Sequence, residues 1–131
     1  MSDCGVCVTY SGYENECMGY RRVIVKAGQD WTCSECECRI PKGTRYELAS
    51  WFYADREGFG NCKTCLICSE IAEAFMCHGR YHGSTFWDSM EDAFPKMTTA
   101  CFDRLQTPEA KAELRRRWME WKGLIGEGSH V

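Results

Sequence analysis

Three Cys-x-x-Cys pairs stand out in the chain: Cys4-Gly5-Val6-Cys7, Cys33-Ser34-Glu35-Cys36 and Cys65-Leu66-Ile67-Cys68. Zinc takes four borderline-soft ligands in a tetrahedron, and a tight Cys-x-x-Cys turn supplies two of them from one stretch of backbone. The second and third pairs are separated by 28 residues, room for a β-hairpin whose base would bring them together. Cys33, Cys36, Cys65 and Cys68 are therefore expected to form one Cys4 zinc site. The third pair opens a helical pattern, and a helix N-terminus favours the thiolate form that a metal needs.

Eleven of the 131 residues are cysteine, a density that means either disulfides or metal, and the redox compartment decides between them. The N-terminus shows neither a basic region nor an apolar run of signal-peptide type. A reduced, cytoplasmic setting with metal-bound thiolates is the expectation. The Cys4/Cys7 pair then needs two partners, and Cys77 and Cys101 are assigned to it, with His78 able to replace Cys77. This second site would tie the N-terminus to the helical half and bring the zinc count to about two per chain. Cys17, Cys38 and Cys62 remain as spare thiols. The spacing Cys62-x-x-Cys65-x-x-Cys68 admits an iron–sulfur alternative, but Cys77 lies too far on for a ferredoxin-type run, no proline follows it, and Cys33 and Cys36 would be idle.

A catalytic zinc keeps a position open for water, whereas four thiolates close the site. The only histidines are His78, His82 and His130, and a nucleobase-deaminase signature is missing. A thioredoxin-like role would need a βαβ setting for its Cys-x-x-Cys. No catalysis, and no small-molecule substrate, is expected.

The elements that must position these residues follow from periodicity. Arg21–Lys26 reads as a strand, and Thr44–Tyr53 as the first arm of a hairpin that turns at Asp55-Arg56-Glu57-Gly58. Leu66, Ile67, Ile71, Ala74 and Phe75 mark a helix running to Cys77-His78-Gly79. Further helices are expected from Ser84 to Pro95 and from Thr98 to Leu105. The last runs from a Thr107 cap to Gly123, with Ala110, Leu114, Trp118 and Trp121 as its apolar stripe. Knuckle, hairpin, knuckle and helix in that order is the treble-clef arrangement. The expected fold is a single α+β domain: an N-terminal segment over 1–30, a treble-clef-type zinc finger over 31–78, three to four packed helices over 79–123, and a tail over 124–131.

Residues Cys33 to about Trp121 resemble a family of small proteins encoded by phages and prophages. The resemblance rests on the first knuckle, Ile40-Pro41-Lys42-Gly43-Thr44-Arg45-Tyr46-Glu47, Lys63-Thr64-Cys65-Leu66-Ile67-Cys68, Phe75-Met76-Cys77 and Arg117-Trp118-Met119-Glu120-Trp121. It implies an accessory protein in a bacterial host, with a host protein of a defence or transcription system as partner. It supplies no activity.

The exposed residues expected to meet that partner are Trp51, Phe52 and Tyr53, consecutive on a strand, with Arg45 and Arg56 beside them. A nucleic-acid-binding finger is the alternative, through Arg45, Arg56 or the last helix. Arg115, Arg116 and Arg117 fan around a helix axis, and Glu113 and Glu120 lie at pairing distance in sequence, so intrahelical ion pairs are the plainer expectation. The formal charge is −3, and two filled Cys4 sites would take it to about −7, which disfavours a general nucleic-acid binder. No apolar run approaches the ~18 residues of a membrane span.

Overall fold

The computed structural model describes residues 4–8, 17–53, 59–76 and 86–123. β-branched and aromatic residues fill the strand-forming stretches, and the apolar period changes from two to three or four after Cys65. In chain order the strands are β1 (Cys17–Lys26), β2 (Trp31–Thr32), β3 (Arg39–Ile40), β4 (Arg45–Tyr53) and β5 (Phe59–Cys65). The helices are α1 (Leu66–Phe75), α2 (Phe86–Ala93) and α3 (Pro108–Trp121), with 3-10 turns at Phe94–Lys96 and Thr99–Arg104. The fold is α+β: an antiparallel sheet ordered β1-β4-β5, a separate β2-β3 ladder, and the helices that follow β5.

Register places Ile24, Glu47 and Thr64 abreast on one face of the three-stranded sheet. This face receives α1. Glu47 is buried there, and its charge is met by Arg22 Nη1 at 3.3 Å and by the Ser69 hydroxyl of α1 at 3.1 Å. Its pairing explains why a carboxylate can sit inside the interface. Four residues along β4 from Glu47 the sheet closes on Trp51, which faces Gly60 of β5. A Cβ built on Gly60 would lie 2.7 Å from the Trp51 ring. Gly60→Ala is therefore expected to unseat the indole and lower stability by about 1–3 kcal/mol, readable as a reduced denaturation midpoint.

The hydrophobic core lies among the helices and reaches Ile40 and Tyr46 of the strands. Phe75, Met90, Phe94, Leu114 and Trp118 are all buried, on stripes spaced by three or four residues. The Thr107 hydroxyl accepts from Ala110 N–H at 3.2 Å, and Pro108 occupies the first turn of α3. Glu70 of α1 reinforces that end by accepting from the Gln106 and Thr107 amides and the Thr107 hydroxyl. Burial pushes the Glu70 carboxyl up, but these donors prevail and hold it below its ordinary range. Gly123, at a φ of 76°, terminates the helix. The expected stripe ends one turn early, since Trp121 is 46% exposed.

Residues 4–8 are sewn into the helical half. Val6 and Val8 are buried, and Val8 N–H reaches the Phe75 carbonyl at 2.8 Å. Arg104 donates to the Val6 carbonyl at 2.6 Å and to the Ala74 carbonyl at 2.5 Å, while its guanidinium covers the Phe75 ring at 4.6 Å. No described helix is long and apolar enough to cross a membrane.

Candidate metal centre

The β2-β3 ladder holds the first knuckle as a tight loop. Cys33 N–H donates to the Cys38 carbonyl at 2.9 Å, and Glu37 N–H to the Cys33 carbonyl at 3.0 Å. This winding puts Glu37 at a φ of 65°, in the left-handed region that normally favours glycine. Two bonds between Ser34 and Lys63 then fasten the loop to β5: Ser34 N–H to the Lys63 carbonyl at 2.7 Å, and Lys63 N–H to the Ser34 hydroxyl at 3.2 Å. Lys63 is two residues before Cys65, so this clamp sets the distance between the two Cys-x-x-Cys pairs. Cys65 caps α1, its sulfur accepting from Cys68 N–H at 3.5 Å.

As a result Cys33, Cys36, Cys65 and Cys68 place all four sulfurs within 4.8 Å of one another. A regular tetrahedron with Zn–S bonds of about 2.3 Å has sulfur–sulfur edges of about 3.8 Å, and Cys36 and Cys65 are 3.8 Å apart. The donor set fits a single tetrahedral ion. Cys62 is not part of this group, so the Cys62-x-x-Cys65-x-x-Cys68 reading is not how these sulfurs assemble.

Electrostatics make the cluster hungry for a cation. Cys33 Sγ accepts from the amides of Glu35 at 3.3 Å, Cys36 at 3.5 Å and Cys65 at 3.3 Å. Hydrogen bonds from the Cys65 and Cys68 thiols, with these amides, hold the Cys33 thiol far below its usual range. The other three pay the reverse cost. Burial pushes Cys36 up, and hydrogen bonding to Cys33 pushes up Cys65 and Cys68. Gathering four thiols this closely favours the thiolate at Cys33 and opposes it at the other three, a conflict that a bound divalent cation would relieve.

Two residues of the centre had no signal in the sequence pattern. Trp87 of α2 donates its indole N–H to Cys68 Sγ at 3.3 Å. Glu35, inside the first knuckle, accepts from Phe86 N–H, the first residue of α2, at 2.9 Å. Together they seat α2 on the knuckle pair. Tryptophan spaced on an apolar stripe reads as core, and only the tertiary contact reveals its bond to sulfur.

The second expected site is not what the structure forms. Cys4 and Cys101 are joined by a disulfide with S–S 2.11 Å and Cα–Cα 4.8 Å, and Cys7 is also disulfide-bonded. A sulfur committed to a disulfide has no thiolate to offer a metal, so this assignment is corrected from zinc ligation to covalent crosslinking. Cys77 and His78 lie outside the described residues. The expectation that reduction would leave the cysteines as thiols holds for Cys33, Cys36, Cys38, Cys62, Cys65 and Cys68. It fails for Cys4, Cys7 and Cys101.

The proposed contact residues also divide. Trp51 is buried against Gly60 and cannot serve as a surface anchor. Its buried face follows from strand parity, because it shares a side of β4 with Glu47 and Ala49. Arg45 is exposed. The side chains of Phe52 and Tyr53, and all of Arg56, lie outside the described residues. On α3 the arginines are engaged as the spacing implied. Arg116 contacts Glu113 at 2.7 Å and Glu120 at 3.1 Å, and Arg117 contacts Glu113 at 2.7 Å. Arg115 lies over Phe102 at 4.8 Å.

No protein-family model, curated protein or solved structure matches this chain.

Proposed function

We propose that this chain is a non-enzymatic, zinc-stabilised recognition protein whose partner is another protein. The four-sulfur cluster carries this reading: four thiolates saturate a tetrahedral zinc, leave no position for water or substrate, and make the ion a poor Lewis acid. The order of first knuckle, β4-β5 hairpin and second knuckle at the start of α1 supports a treble-clef finger, with the helices as its extension. Zinc would act by fixing β5, α1 and, through Trp87 and Glu35, α2.

Protein is favoured over nucleic acid because the arginines of α3 are held by Glu113 and Glu120 or laid over aromatic rings. Phosphate recognition needs guanidinium and ammonium groups free to replace counterions. The resemblance to phage- and prophage-encoded proteins agrees with a host protein as target. The test is capture from a nuclease-treated bacterial lysate by the immobilised, zinc-loaded protein. Retention of a discrete host protein at physiological salt is expected. If only nucleic acid is retained from an untreated lysate, and modest salt releases it, the protein-partner reading fails.

A further inference from the structure

α2 and α3 enclose a cavity of about 220 Å³ lined by Trp87, Glu91, Phe94, Arg117, Glu120 and Trp121. The lining obeys helix spacing: Trp87 and Glu91 are one turn apart on α2, as are Arg117 and Trp121 on α3. Phe94 is buried and meets the Trp121 ring edge-on at 5.7 Å. Trp121 itself is 46% exposed. A large aromatic left half in water beside a preformed cavity is the type of residue that anchors interfaces.

The protein already shows what such a wall accepts. Arg117 places its guanidinium 4.0 Å over the Trp87 ring and donates from Nε to Glu113 at 2.7 Å. Cation, indole face and carboxylate form a complete triad. The same lining holds a second indole, Trp121, and the carboxylates of Glu91 and Glu120, and among the described residues no cation stacks on Trp121. Glu120 shares Arg116 with Glu113. Among the lining residues, Glu91 and Glu120 set against Arg117 leave one negative charge in excess. Asp88 and Asp92 add exposed carboxylates on the same helix, against exposed Lys96 and a Lys122 whose ammonium is laid over the Trp118 ring at 4.0 Å.

We infer that this cavity is a recognition site for a cationic side chain, a lysine or arginine of a basic segment in a protein partner, stacked on Trp121 and paired with Glu91 and Glu120. This rests on the protein-partner reading and moves its anchor from the Trp51 strand to the α2–α3 cleft. A cation held against an indole and a carboxylate matches the geometry and sign of the site, whereas a phosphate or an acidic peptide would meet excess negative charge.

The probes are fluorescently labelled octalysine and octaarginine peptides, with octaglutamate as the opposite-charge control, followed by anisotropy against the zinc-loaded full chain. Saturable binding of the basic peptides is expected. Trp121→Ala should weaken it by about 3- to 20-fold, and Trp121→Phe should restore part of the loss. Glu91→Gln should weaken it more than Asp103→Asn, which removes the same charge from an exposed site outside the cavity. Circular dichroism confirms that each variant is folded. Equal affinity of wild type and Trp121→Ala, equal losses in Glu91→Gln and Asp103→Asn, or comparable binding of octaglutamate would each overturn the site. Lysate capture separates the two levels. A host protein retained equally by wild type and Trp121→Ala removes the cleft and keeps the protein-partner reading. Basic-peptide binding without any captured protein removes that reading and keeps the cleft.

Discussion

Removing the metal from the Cys33–Cys36–Cys65–Cys68 cluster is expected to unfold the finger and loosen α2 with it. Structural zinc contributes an apparent ~10–16 kcal/mol in small zinc-binding units, as much as the whole stability of an ordinary domain, about 5–15 kcal/mol. The reason is visible in the sulfurs. With all four inside 4.8 Å, the apo cluster can hold little negative charge, and the thiols that stay protonated contribute only weak hydrogen bonds. The clamp between Ser34 and Lys63 and the amides aimed at Cys33 orient the knuckles, and across the centre the sulfurs add only thiol hydrogen bonds such as that between Cys36 and Cys65. Metal analysis of the purified chain should give about one zinc per molecule, since the disulfide removes the second site. A strong chelator should abolish the cooperative unfolding transition, and added zinc should restore it. Cys68→Ser should behave as the chelated protein, because Cys68 is buried, closes the tetrahedron and accepts from Trp87. An unchanged thermal transition after complete zinc removal would show that the helical core alone sustains the fold.

The parts of this centre that were legible in the sequence are those governed by local spacing. Two Cys-x-x-Cys turns separated by a hairpin's length identify their four ligands, because each turn is made by its own backbone. Thr107, Pro108 and Gly123 bracket α3 for the same reason: cap chemistry is written within four residues. Trp51 and Trp121 went the other way. Consecutive aromatics on a strand cannot reveal which parity faces α1 until Glu47 and Arg22 fix the side. An i, i+4, i+8, i+11 stripe does not reveal how far a helix extends past the element that covers it. Here the Phe94–Lys96 turn and Phe102 cover Trp118, whose indole N–H donates to the Phe94 carbonyl at 3.3 Å and whose ring lies 5.8 Å from that of Phe102, and leave half of Trp121 in the open. The cysteines posed a third kind of problem. Compartment bears on every cysteine alike, whereas pairing is decided by which sulfurs the fold brings together. Cys4 and Cys101 are 97 residues apart, and no local pattern joins them.

That long separation sets the size of the last effect. Opening the Cys4–Cys101 bond by Cys101→Ala should cost several kcal/mol. Chain-entropy arguments give about 4.7 kcal/mol for a loop of roughly 100 residues as an upper bound, because the disulfide of Cys7 still constrains the unfolded chain, and measured losses of native disulfides are about 2–5 kcal/mol. At this chain length that corresponds to a fall in melting temperature of roughly 10–20 °C. The variant isolates the crosslink well. Cys101 is fully buried, and alanine leaves no unsatisfied polar group there. Cys4, freed, keeps Arg104 Nη1 beside its sulfur at 3.5 Å, which offsets charge on a thiolate. The consequence should be confined to the seam between residues 4–8 and the helices. Val6 and Val8 would still be held by the disulfide of Cys7 between them, by apolar contact, by Arg104 and by the Val8–Phe75 bond, so limited proteolysis should cut first on the N-terminal side of Cys7. Zinc content should stay at about one per chain, because neither partner of the disulfide touches the four-sulfur cluster. Loss of zinc together with the N-terminal seam would show that the crosslink and the metal centre form one cooperative unit, and an unchanged melting temperature would show that the bond contributes nothing the buried valines do not already supply.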